Sequence, residues 1–149
     1  MSHRLLLLFA SLVFVAISFS DEQDQDRDFN RALSLSQAGM ETQSVQSWID
    51  FLRRYPQGTK TDQAYFYLAE VYFRSGKYLE ARTELLRVFR FPNSEKTSDA
   101  AVLLGETYQK EKKTSEAKIY WESVLRKFPK SKAAEKAKNL LLSIGVKKS

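Results

Sequence analysis

The sequence predicts an all-α protein: a right-handed superhelical solenoid of three helical hairpins closed by a C-terminal capping helix. Three observations predict it. Aromatic-proline pairs, Tyr55-Pro56, Phe91-Pro92 and Phe128-Pro129, recur 36 and 37 residues apart. Each pair ends a segment with two stretches of helical periodicity, and no stretch alternates with the period of a strand. A period in the mid-thirties with two helices per period describes a stack in which each hairpin covers the apolar face of its neighbour.

The elements follow in order. In the first unit Ala32 and Leu35 precede a turn at Gly39, and Ser44, Trp48 and Phe51 lead to Pro56. In the second, Leu68, Ala69 and Tyr72 are followed by Gly76, then by Ala81, Leu85 and Val88 before Pro92. The third repeats the scheme with Leu104, Gly105 and Tyr108, then Ala117, Trp121, Val124 and Phe128 before Pro129. Spacings of three, four and seven put each set on one helical face, which makes Trp48, Trp121, Tyr72 and Tyr108 core residues. Proline lacks the helical N–H and disfavours helix in the residue before it, so each aromatic-proline pair ends a second helix. Thr61, Thr97, Thr114 and Ser131 read as N-caps, with acids in the following turns. Helices are predicted at 27–38, 42–55, 61–75, 78–91, 97–111, 114–128 and 131–144.

These positions resemble the tetratricopeptide repeat, in which the eighth position is small, the eleventh is Tyr or Leu, the twentieth is Ala and the thirty-second is Pro. Ala32, Ala69 and Gly105 match the first, and Leu35, Tyr72 and Tyr108 the second. Ala81 and Ala117 match the third, where Ser44 differs by a hydroxyl; Pro56 and Pro129 match the last, and Pro92 falls one residue early. The resemblance implies three tetratricopeptide-like units at about 25–56, 61–92 and 97–129, with a cap at 131–144, in a repeat domain spanning 27–145. An acidic N-terminal segment, 21–26, precedes it.

The first twenty residues differ in kind. His3 and Arg4 precede an uncharged run from Leu5 to Phe19, and Ser18-Phe19-Ser20 is followed by Asp21-Glu22. This reads as a secretory signal peptide cut after Ser20, with Ser18 as the alternative site. Fifteen residues fall short of the roughly 20 that span a membrane, so an uncleaved inner-membrane anchor is the weaker reading. The expected location is the periplasm. The chain has no Cys, so neither a disulfide nor a lipidated cysteine is expected, and its one His lies within the leader. Residues 21–149 therefore lack the groups for His- or thiolate-based nucleophilic catalysis, the usual zinc sites, iron–sulfur clusters and haem ligation by His or Cys. No phosphate loop or calcium loop is present, and no cofactor or metal is expected. Glu70 and Glu106 occupy equivalent positions in adjacent units, but spacing alone does not give paired carboxylates contrasting environments. The protein reads as a non-enzyme.

Function is then expected on the first helix of each hairpin, beside the core stripe. The predicted groove comprises Gln63, Phe66, Tyr67, Glu70, Phe73 and Arg74 from the second unit and Asp99, Val102, Leu103, Glu106, Gln109 and Lys110 from the third. The first unit would add Phe29, Asn30, Leu33, Ser36 and Gln37. Phe66 and Phe73 are the candidate aromatic anchors in a polar rim suited to an extended or helical protein segment. Charge is uneven: residues 21–28 carry five acids and one Arg, whereas residues 110–149 carry twelve Lys or Arg and four Glu. A second candidate surface is the basic face Lys127, Lys130, Lys132, Lys136 and Lys138, which would meet anionic envelope polymer or lipid. No nucleic-acid partner is expected, and a homodimer through the repeat ends is a third possibility. The run YPQGTKTDQAYFYLAEVYFRSGKYLEA is similar to the repeat domain of the periplasmic Tol-Pal-associated cell-division coordinator and to the lipoprotein subunit of the outer-membrane β-barrel assembly machine. That similarity implies envelope scaffolding, with an envelope protein segment as the partner.

Overall fold

The computed structural model describes residues 22–145; the predicted leader and its cleavage site lie outside the described residues. Seven helices follow one another: α1 (22–37), α2 (Glu41–Arg54), α3 (Thr61–Arg74), α4 (Tyr78–Val88), α5 (Thr97–Lys110), α6 (Thr114–Lys127) and α7 (Lys132–Gly145). They pair as α1 with α2, α3 with α4 and α5 with α6. The pairs stack through α2 on α3 and α4 on α5, and α7 closes the array against α5 and α6. No strand occurs among the described residues.

Two helix ends depart by more than a residue from the sequence expectation. Helix α1 is already formed at 22, the first described residue, rather than from 27, so most of the acidic stretch is helical. Its acids are not a free segment: Asp28 accepts from Arg54 at 3.0 Å, and Asp26 lies 2.7 Å from Lys60 Nζ. Gln25 is buried and accepts the Lys60 backbone N–H at 3.2 Å. Helix α4 stops at Val88, short of 91, and closes with tight turns from the N–H groups of Arg90 and Phe91 to the carbonyls of Arg87 and Val88. Pro92 disfavours helix at Phe91. The capping residues also differ. Ser131 accepts the Ala134 N–H at 3.1 Å and is an N-cap. By contrast, Thr61 and Thr97 are already in their helices, and their hydroxyls donate to the carbonyls of Tyr55 and Ser94, tying the helix start to the preceding loop. Thr114 too is a first helical residue, with Lys113 at the cap and no side-chain cap bond.

The core is divided along the stack. Phe29, Ala32, Trp48, Phe51, Ala64 and Leu68 fill the first interface. Phe66, Ala69, Leu85, Val88, Ala100 and Leu104 fill the second. Val102, Ala117, Trp121, Val124, Ala134 and Ala137 fill the last, under α7. Trp48 and Trp121 are fully buried as expected, while Tyr72 and Tyr108 are half-buried at the core margin, Tyr108 stacked on Tyr120 at 5.5 Å.

Within each hairpin a small residue faces a large one sixteen positions later: Ala32 and Trp48, Ala69 and Leu85, Gly105 and Trp121. The last contact is the tightest. A Cβ at Gly105 would stand 2.7 Å from Trp121 Cδ1 and closer still to Nε1, while that indole N–H donates to the Val102 carbonyl at 3.1 Å. The turns between paired helices need a left-handed residue. Gly39 (φ 71°) and Gly76 (φ 73°) supply it twice, and Lys112 (φ 62°) takes the same place in the third unit.

Two substitutions test this packing. Gly105→Ala pushes a methyl into Trp121 and is expected to cost about 1–3 kcal/mol in urea denaturation. Lys112→Gly is expected to stabilise by about 0.5–1 kcal/mol, the left-handed penalty of roughly 1–2 less the entropic cost of glycine, and to raise the urea midpoint.

Candidate functional site

The first helices of the second and third units, α3 and α5, and the capping helix α7 lie side by side along one face of the stack. Between them is a cavity of about 290 Å³. Phe66, Tyr67 and Glu70 of α3 line one wall; Asp99, Val102 and Leu103 of α5, with Lys96 just before that helix, line the other; Lys136 of α7 closes the end. The apolar floor belongs to the core. Phe66 is 6% exposed, and Tyr67 is half-buried and stacks on Trp48 with ring centroids 5.7 Å apart. Lys96 Nζ lies 5.1 Å from the centroids of both Phe66 and Tyr67, a cation held on two ring faces.

The charges around the cavity are unevenly matched. Lys136 Nζ is 2.7 Å from Glu106 Oε2, an ion pair joining α7 to α5. Among the described residues Glu70 has no such partner. Burial pushes its carboxyl above the ordinary value; nearby Arg74, Lys96 and Lys136 pull it back, and Asp99 adds to the rise. Glu70 and Glu106 thus sit in different surroundings, a contrast that their spacing did not reveal.

Of the groove residues expected from sequence, Phe66, Tyr67, Glu70, Asp99, Val102 and Leu103 come together here, with Glu106 joined through Lys136. Phe66 and Phe73 do not project as anchors. Phe66 is floor, and Phe73 is half-buried against Tyr78, at 5.7 Å, on the margin of the second core. Arg74 turns toward the first unit and donates to the Ser36 carbonyl at 3.1 Å, in a separate cavity of about 210 Å³. Gln63, Gln109 and Lys110 lie on α3 and α5 outside the cavity lining. The first unit contributes little: Phe29 is 4% exposed inside the aromatic cluster, and Ser36 is buried, its hydroxyl accepting the Trp48 indole N–H. Asn30 and Gln37 are exposed and Leu33 is half-buried, none of them in the cavity lining.

The five lysines assigned to a basic face are all exposed, yet they do not share one face. Lys136 turns into the groove. Lys138, two residues on, points about 200° away around α7, while Lys127, Lys130 and Lys132 flank the α6–α7 connection. The residue that the sequence reading missed is Lys96. Its signal was present: Lys60, 36 residues earlier and likewise just before a first helix, lies 5.1 Å over Phe29 as Lys96 lies over Phe66.

The family profile of the tetratricopeptide repeat matches residues 63–94 and 99–131, the second and third units. Among solved structures the chain is similar to the first TPR of Spaghetti (RPAP3) bound to the HSP90 peptide SRMEEVD, at 18% identity and a TM-score of 0.70, covering 83% of this chain and 92% of that one. It is similar to MamA at 17% identity and a TM-score of 0.62, covering 78% of this chain and 65% of MamA. The N-terminal domain of stress-induced protein-1 (STI-1) from C. elegans matches at 19% identity and a TM-score of 0.59, covering 78% and 95% of the two chains. No curated protein matches in sequence. The fold is therefore that of a tetratricopeptide repeat array. Among the described residues no group of three or more His, Cys, Asp or Glu could hold a metal ion, and no helix is long and apolar enough to cross a membrane.

The Glu70 environment gives a pH-dependent expectation. With its folded pKa raised, the folded state binds the proton more tightly than the unfolded chain, so the charge becomes a cost as pH rises from the ordinary carboxylate value through the raised one. Glu70→Gln should therefore raise the denaturation midpoint at neutral pH, and the gain should vanish at pH values below the ordinary carboxylate pKa.

Proposed function

We propose that this protein is a periplasmic adaptor that holds a segment of a cell-envelope protein in the groove between α3, α5 and α7. The observation that carries the reading is the cavity itself. Its floor is aromatic and fixed by the core, its rim carries both signs of charge, and its walls come from the second unit, the third unit and the capping helix. Such a site suits a chain segment that crosses several helices in turn, taking apolar contact from the floor and register from the charges. The tetratricopeptide fold supports it, since the similar domain of Spaghetti (RPAP3) is bound to an HSP90 peptide. The envelope assignment is supported by the leader-like first twenty residues and by the resemblance of 55–81 to the two envelope repeat proteins. Its place would be in assembly or maintenance of the envelope.

A plug in the groove tests this. Asp99 is a half-buried cavity residue outside the three core clusters, so Asp99→Trp fills the site while sparing the stack. The immobilised protein, challenged with envelope extract of its native cell, is expected to retain a protein that Asp99→Trp loses at unchanged helicity and melting temperature. Equal retention by both would overturn the groove assignment.

A further inference from the structure

We infer that the segment held in the groove presents a basic side chain, Lys or Arg, to Glu70 and Asp99 between α3 and α5; the inference rests on the adaptor reading above. The cations near the cavity each have a close counterpart. Lys136 is paired with Glu106, Lys96 lies on the rings of Phe66 and Tyr67, and Arg74 donates to the Ser36 carbonyl. The remaining two carboxylates have none: among the described residues neither Glu70 nor Asp99 takes part in an ion pair.

The repeat itself shows what is missing. From α5 to α7, Glu106 is met by Lys136, thirty residues later. One step earlier in the stack the equivalent of Glu106 is Glu70, and the residue twenty-nine positions on is Asp99. Where one step is closed by an ion pair, the other sets two like charges at an open cavity, and Asp99 raises the cost of the Glu70 charge. The first step has neither, since Leu33 and Gln63 stand at those places. A cation is thus lacking at one step only, and that step opens to solvent.

A partner's Lys or Arg supplies it. The apolar walls of Tyr67, Val102 and Leu103 cover the alkyl stem while the charged head reaches the carboxylates. An acidic residue in the same place would add a third carboxylate to the unpaired two. The preference is local to this site, because the chain as a whole carries a formal charge of +6. Charge complementarity of this kind fixes the register of a bound segment and rejects wrong ones.

The experiment is selection of a random linear peptide display library on the full protein, with each selected peptide then titrated against wild type, Asp99→Lys and Asp99→Trp. The expected result is a consensus with Lys or Arg at one fixed position, whose replacement by Gln weakens binding by about tenfold or more. Asp99→Lys recreates the pairing of Lys136 with Glu106 one step earlier. It should lose those peptides to the same degree and have a higher melting temperature than wild type. Peptides that are displaced by Asp99→Trp but show no basic position would overturn this inference and leave the adaptor reading standing. Failure to select any peptide, or equal binding by Asp99→Trp, would overturn both.

Discussion

The whole array depends on one contact repeated within each hairpin: a residue with little or no side chain on the first helix against a large one on the second. Ala32 with Trp48, Ala69 with Leu85 and Gly105 with Trp121 are spaced alike, and each of the paired large residues is fully buried. The size of the small residue sets how near the two helix axes come, and core packing is stiff enough to transmit a single methyl group. The hairpin geometry then fixes how the next hairpin docks. The width of the groove between α3, α5 and α7 follows from contacts on the opposite side of those helices.

Core and groove are consequently built from the same side chains. Tyr67 stacks on Trp48 in the first core and lines the cavity with its other face, and Phe66 closes the second core while forming the floor. Rigidity at the floor lowers the ordering cost of binding, which suits a site that must recognise an extended segment. The charged rim is the part free to vary. Glu70, Lys96, Asp99, Glu106 and Lys136 stand outside the core clusters, so partner choice can change at the rim while the stack stays intact.

Most of the fold was legible because its signals are local. Prolines, helical periodicity and the small residue at the eighth position are each read from a short window, and the seven helices fall where those signals put them. The departures share a different origin, in partners distant along the chain. Asp26 and Asp28 look like a solvated acidic segment until Lys60 and Arg54 are brought beside them. Thr61 and Thr97 have the chemistry of N-caps, but their hydroxyls find loop carbonyls nearer. In the candidate site, periodicity named the right helix faces but could not rank depth within them. Phe66 and Phe73 lie toward the groove side of α3, yet Phe66 packs into the second core with α4 and α5 and Phe73 packs against Tyr78 of α4, neighbours that periodicity within one helix does not describe. Lys136 was read with its basic neighbours in sequence; its place opposite Glu106 depends on how α7 crosses α5.

The central claim, that the groove between the first helices is where this protein meets its partner, is tested most directly by hydrogen–deuterium exchange of the full chain with and without the captured partner. The account predicts added protection in α3, in the segment from Lys96 through α5, and in the first turns of α7, with α2, α4 and α6 unchanged. Protection confined to the α6–α7 connection and the outer side of α7, with α3 and α5 unchanged, would contradict it.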